Sequence, residues 1–481
     1  MTCQNLETGL FCNFVGCLVA AALYYYFTLY WSDYLYTFDT ILTVYLEEYC
    51  GWANERVRKS GQVYQQEKTE FTSHFDVAEK GESRALPNHL PKSELGCIAA
   101  IVGYREDPSI FTRALESNLD AEGCQFVLVC IDGDGPNDQA MVDIFEKVYP
   151  SSSAFLNFSI PLVDIALQMD RDITTWAKDA AIIDKCVTFA KQTLFENGIC
   201  LTGPDAIRHL CITQPHMHKK GIMFTSFIVC FALAELLGIE FVWTSDSDSM
   251  VYKDTIQTTI ETIHGDEKCA GASTALNIHN RKENLVTTLG NTIYLNDLHL
   301  SRCFSSAVGS NDCQSGPCAP FRIKAIKPEL LAWYKQTVFG KWMIVNEDRH
   351  MTTRLLLSGY RVRYIPHAVT ATETPVTLRR WLLQQLCWAR AVHIESYVHP
   401  TMYLHQPPLM LANKWGTSMR GEPDIVNEDR WRRLKKKAWE VGFFVIWMGV
   451  IGGVVGRYIS SELGLDPGTS QLCMGGGATI M

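Results

Sequence analysis

Two carboxylates one residue apart end an apolar run. Asp246 and Asp248 close the stretch FVWTSDSDSMV, residues 241–251. In a strand, residues i and i+2 face the same way, so both side chains can converge on one point. Like charges held that close repel, and one of them would keep a proton. A divalent cation removes the conflict, because Mg2+ or Mn2+ takes one or two carboxylates together with substrate phosphates. The stretch therefore reads as the metal-diphosphate site of an enzyme acting on a sugar nucleotide. A lone D-x-D is a short pattern, and Asp and Ser also favour turns. The reading gains weight only if other parts of the chain supply matching chemistry.

They do. Glu106 and Asp107 follow one apolar run, and Asp132 and Asp134 follow another. Asp107 and Asp132 can accept hydrogen bonds from the base and ribose of a nucleotide. Lys219 and Lys220 can neutralise phosphate. A metal and these cations would stabilise a diphosphate as it leaves with growing negative charge. Glycosyl transfer then needs a base for the acceptor hydroxyl. Asp348, at the start of a helical pattern between Glu347 and Arg349, is the candidate, and the helix dipole there would keep it ionised. One base opposite one leaving group implies in-line attack and inversion of the sugar carbon.

The surrounding elements can place these groups on one rim. Residues 95–103 (LGCIAAIVG) and 126–131 (FVLVCI) read as strands, with helical spacing between them. Strand, helix, strand with polar strand ends is a βαβ unit, and it suggests a parallel sheet. Ligands of such sheets sit beyond the carboxyl ends of the strands. GIMFTSFIVCFALAELLG, residues 221–238, is long and apolar, but Glu235 and Gly238 interrupt it and a strand follows at once; it reads as a buried helix. Residues 269–278 read as a further strand, 280–305 as helical, and 314–318 as a tight turn. Residues 345–366 read as an amphipathic helix, and residues 378–393 as another.

At 481 residues, 47% of them hydrophobic, the chain is ample for a large core. Its net charge of −9 argues against nucleic acid as a partner. The 17 cysteines show neither C-x-x-C pairs nor a zinc-ligand pattern, which suits buried free thiols in a reducing compartment. No disulfide is expected between Cys313 and Cys318. Residues 10–31 are uncharged and end in Tyr and Trp, as a membrane span with an interfacial belt would. Residues 430–437 are strongly basic and run into an apolar segment, 441–459. This is the pattern of a second span with its basic side in the cytosol. The expected organisation has five parts: a span and juxtamembrane segment (1–50), a linker (51–94), a catalytic domain (95–395), an interfacial basic segment (396–437), and a span with a tail (438–481).

GYREDP (103–108), IDGDG (131–135), DSDS (246–249), QSGP (314–317), NEDRHMT (346–352), TETP (372–375) and RRWLLQQLCWAR (379–390) occur in this order. In these motifs the chain resembles the processive family-2 glycosyltransferases, most closely the hyaluronan synthases; chitin and cellulose synthases share the framework. The resemblance covers about residues 95–395. It implies an α/β GT-A fold (Rossmann-like nucleotide-diphospho-sugar transferase) in a cytosolic domain between transmembrane helices. It also implies a UDP-sugar donor, Mg2+ or Mn2+, and inverting β-transfer at the plasma membrane. It gives Asp107 and Asp132 to the uridine, Asp246 and Asp248 to metal and diphosphate, and the base role to Asp348. Gln384 and Trp388 fall on the family's Q-x-x-R-W helix, where the Trp lines the acceptor site. Arg390, Glu347 and Arg349 are read with them as positioning donor and acceptor.

Two departures stand out. The Arg of Q-x-x-R-W is Cys387 here. Losing one charge-assisted contact costs about 2 kcal/mol, and Arg390, one turn on, is placed to replace part of it. Hyaluronan synthases also carry several membrane helices after this motif, whereas residues 396–440 contain no clear span. Two spans do not by themselves enclose a channel, so a polymer-making chain would work as a homo-oligomer. The readings that follow are a polysaccharide synthase, a non-processive transferase acting on a carbohydrate or lipid-linked acceptor, and a silent relative that only binds.

Overall fold

The computed structural model describes residue 45 and residues 47–59, 95–172, 178–308 and 311–399, apart from positions 312, 317 and 339. The expected spans at 10–31 and 441–459, the basic segment 396–437 beyond residue 399, and most of the 51–94 linker lie outside them.

A nine-stranded mixed sheet organises the domain, in the order β3-β4-β2-β1-β5-β8-β7-β11-β6. The strands are β1 Cys97–Gly103, β2 Cys124–Ile131, β3 Ser153–Asn157, β4 His209–Thr213, β5 Phe241–Asp246, β6 Met250–Val251, β7 Cys269–Ile278, β8 Cys318–Arg322 and β11 Arg361–Thr372. The short β9 Thr337–Val338 and β10 Lys341–Trp342 form a separate hairpin. β1 lies parallel to both β2 and β5, and β2 is parallel to β4. Val102 pairs with Asp246 in register, so β1 and β5 end level with one another. The expected βαβ unit is present, with the helix Pro108–Glu116 as its crossover. β8 runs antiparallel between β5 and β7, which makes the sheet mixed.

β1 is apolar throughout because both faces of the sheet are covered there; all seven of its residues are buried. The helix Lys219–Leu237 packs under them. Among the described residues it is the one helix long and apolar enough to cross a membrane, but 78% of its apolar window is buried inside the domain. It is a core helix, as its interruptions indicated, and its end at Gly238 is a left-handed cap, φ 72°.

The helical reading of 345–366 is too long. The helix Glu347–Leu357 stops before Gly359, which sits at φ 82°, and β11 begins at Arg361. A left-handed glycine just past the last turn ends a helix without steric cost. Residues 47–59 are helical and pack on the sheet rather than standing clear of it: Asn54 Nδ2 donates to Tyr364 O, and Arg58 pairs with Glu261 at 2.9 Å.

Candidate active site

The acids meet at the carboxyl ends of β1 and β5. Asp246 is the last residue of β5; the chain then turns, with Ser249 N donating to Asp246 O. Ser247 Oγ donates to Glu106 Oε2 at 3.0 Å, which ties the turn to the loop after β1. This approach requires Gly103: a β-carbon there would lie 2.7 Å from Ser247 Cβ. Ser249 Oγ donates to Asp248 Oδ1.

Lys219 bridges this cluster to the candidate base. Its Nζ stands 2.8 Å from Asp246 Oδ1 and 3.2 Å from Glu347 Oε1. Burial pushes the Asp246 carboxyl up to about 6; Lys219 opposes that shift and Asp248 adds to it. Asp248 is raised as well, by burial and by the charges of Glu106 and Glu373. Burial acts against the charge of Lys219, but Asp246 and Glu347 hold its ammonium protonated well above the usual range. Burial and neighbouring carboxylates thus raise both Asp246 and Asp248, with Lys219 as their near counter-charge. That is a hard-oxygen donor set short of positive charge, and it suits Mg2+ or Mn2+.

Glu347 and Asp348 open the helix Glu347–Leu357, and their environments separate them. Burial would raise Glu347, but Lys219 outweighs it and holds the group below its ordinary value. Asp348 goes the other way: burial and the charge of Glu347 raise it, against the hydrogen bond from Arg349 N and the pull of Lys219. Burial and this like charge act against the helix dipole, an effect of about 1 kcal/mol or less. Two neighbouring carboxylates are thus driven apart. Gly316 lies against Asp348, where a β-carbon at 316 would stand 3.2 Å from Oδ2, and Cys313 Sγ donates to the same oxygen at 3.8 Å. Gln314 N donates to Thr352 Oγ1, which in turn donates to Asp348 O, so the Gln314–Gly316 loop is stitched to the helix. Cys313 and Cys318 are free thiols.

Three expected residues behave differently. Lys220, next to Lys219, is buried at 1% exposure; its Nζ donates to Met343 O and lies 5.1 Å from the centre of the Trp333 ring. Consecutive helix residues project about 100° apart, so one lysine faces the acids and the other the core. Asp107 caps the helix Pro108–Glu116, with Oδ1 accepting from Ser109 N and Ile110 N. The sequence Asp-Pro-Ser carried that signal. Asp132, 2% exposed, is enclosed: Oδ1 accepts from Met217 N, and Oδ2 lies 2.9 Å from His216 Nδ1. It orients His216, which stacks on Tyr104 with ring centres 4.1 Å apart. Arg105 lies over the Tyr104 ring, 4.9 Å from its centre.

Tyr294 carried no signal in sequence. It is buried, Trp388 meets it edge-on at 5.4 Å, and the Gln384 side chain lies near its hydroxyl. Burial and the nearby Asp248 push that hydroxyl's pKa up. Tyr294 therefore links the helix Leu378–Val398 to the acid cluster. Cys387 is half-buried on that helix and Arg390 is exposed. Arg349 lends its backbone N–H to Asp348 Oδ1.

Residues 211–391 match the family model described as glycosyltransferase like family 2. The chain is 26% identical over 349 residues to hyaluronan synthase 2 of Rattus norvegicus and of Homo sapiens, covering 69% of this chain and 55% of those proteins. It is 25% identical over 353 residues to hyaluronan synthase 3 of Homo sapiens, covering 71% and 57%. The chain thus spans about half the length of the curated relatives it matches. Among solved structures, a mannosyltransferase from Pyrobaculum calidifontis in complex with GDP-Man and Mn2+ overlaps at a TM-score of 0.35 and 11% identity, over 88% of this chain and all of that one.

Proposed function

We propose that this chain, which carries a glycosyltransferase 2-like domain, is a membrane-bound inverting transferase that uses a UDP-sugar to extend a β-linked polysaccharide. The observation that carries the reading is the bridge of Lys219 between Asp246 and Glu347, with Asp348 one residue on. It joins the phosphate side of the site to the acceptor side.

In this reading the Tyr104–His216 platform takes the uracil by stacking, and Asp132 holds His216 in place. Asp107 keeps one oxygen outside its cap for the ribose. Asp246 and Asp248 would hold Mg2+ or Mn2+, which when bound neutralises charge on the leaving diphosphate. Lys219 supplies a charge-assisted hydrogen bond to the same phosphates. Asp348, raised in pKa and close to Gly316, takes the proton of the acceptor hydroxyl. Trp388, fixed against Tyr294, supplies an apolar face for the acceptor sugar, with Gln384 beside it.

A membrane setting is supported from within the described residues. Leu382, Leu383 and Leu386 of the helix Leu378–Val398 are more than half exposed, as are Leu285 and Leu295. Apolar groups clustered in this way suit a lipid surface. Cys387, with Arg390 exposed, favours a second reading in which the donor is held less firmly and only one or a few sugars are transferred to a lipid or small-molecule acceptor.

Membranes bearing the full chain should be incubated with radiolabelled UDP-GlcNAc, UDP-GlcA and UDP-Glc. Large polymer supports the synthase reading. Short lipid-extractable product supports the second. Absence of any product from all three donors would contradict both.

A further inference from the structure

We propose that His350, Glu395 and His399 form a second metal site, separate from the acid cluster, for a transition ion of the Zn2+ class. Their ligand atoms lie within 4.8 Å of one another. Glu395 and His399 are four apart at the end of the helix Leu378–Val398, so they share one face. His350 comes from the helix Glu347–Leu357, two residues after Asp348.

The hydrogen bonding here is lopsided. Glu395 Oε1 meets three nitrogens: Gln336 Nε2 at 2.6 Å, Asn346 Nδ2 at 2.8 Å and His350 Nδ1 at 3.0 Å. Its other oxygen, Oε2, is buried and has no hydrogen-bond partner among the described residues. His350 Nε2 is in the same condition, as are Asn346 Oδ1 and Gln336 Oε1 on the residues that already touch Glu395. Glu395 is 0% and His350 2% exposed. Buried polar atoms are rarely left unpaired, and each such group calls for a partner. A carboxylate oxygen, an imidazole nitrogen and two amide oxygens are all acceptors toward a cation, so four orphans of one kind point to a positive ion.

The donor types select the ion. Two imidazoles with one carboxylate suit Zn2+ and its neighbours rather than Mg2+ or Ca2+. Three protein ligands leave a fourth position, which an amide oxygen of Asn346 or Gln336, or a water, can fill. Bonds of about 2.0–2.2 Å would draw the three groups closer together. The ion would pin the helix that carries Asp348 to the helix that carries Gln384 and Trp388, fixing the base against the acceptor side. Sequence spacing could not reveal it, because the first ligand lies 45 positions before the second.

The test is metal analysis of the full-length protein purified without chelator. Wild type should retain one equivalent of Zn2+ per chain, as should Asp248→Asn; His350→Gln and His399→Gln should lose it. After chelation, Co2+ should give the visible bands of a low-coordinate site. His399→Cys should rebind Co2+ with an added thiolate band in the near ultraviolet, which separates loss of a ligand from loss of fold. Absence of stoichiometric metal from wild type, with no Co2+ spectrum, would overturn the proposal. So would metal that survives in both His variants or disappears in Asp248→Asn.

Discussion

The ammonium of Lys219 sits 2.8 Å from Asp246 Oδ1, and the same nitrogen reaches Glu347 on another helix. The chain's own cation therefore stands among carboxylates that a divalent ion would also seek. Replacing Lys219 by Gln should make Mn2+ bind more tightly in the absence of nucleotide, by about tenfold, equivalent to ~1.4 kcal/mol. UDP should then bind more weakly by a similar factor, since a charge-assisted bond to phosphate is lost. Calorimetric titration with Mn2+ and then UDP reads both; unchanged affinities would remove Lys219 from the site.

Lys220 gives the opposite expectation. Burial lowers its ammonium to about 8. The folded protein thus releases this proton more readily than the unfolded chain, and stability on this account rises with pH between about 8 and 10.5. Lys220→Met keeps the stem packed near Trp333 and removes the buried charge. It should leave UDP affinity unchanged and stability at neutral pH within about 1–2 kcal/mol of wild type, and the gain above pH 8 should vanish. Urea titrations at pH 7 and pH 9.5 check this.

Asp246 links the site to pH. Its carboxyl stays protonated up to about 6 when folded, against ~3.9 in an unfolded chain. Between those values the folded state binds more protons, so its contribution to metal-free stability is complete below the lower value and is lost as pH rises through about 6. Mn2+ needs the ionised form, so its affinity should fall about tenfold per pH unit below that point. Melting temperatures in EDTA at pH 5 and 7, compared with Asp246→Asn, should differ by this term; the same pH response in the variant would locate the effect elsewhere.

How much of this was legible in sequence varies with the residue. β7 was readable to its ends because an apolar run bounded by polar residues is a strand in any buried sheet. The D-x-D stood out because a carboxylate pair at a strand end conflicts with itself unless something neutralises it. The fate of Lys220 was not readable from a Lys-Lys pair, since only packing decides which helix face is core. Asp107 was read as a ligand, and Pro108 and Ser109 mark it as a helix cap as well, a role that uses only one of its oxygens. Tyr294 sits in a helical stretch without a motif, and only its contact with Trp388 reveals it. The same holds for His350 and His399, which meet through tertiary packing alone.

Asp348 is the centre of the account, and one substitution tests it. In Asp348→Asn the carboxylate is replaced by an amide of the same shape, so UDP and Mn2+ should bind within a few-fold of wild type. Single-turnover transfer from the preferred UDP-sugar should fall by about 10²–10⁴, the usual contribution of a positioned base. Transfer at a near-normal rate in this variant, with donor binding intact, would contradict the assignment.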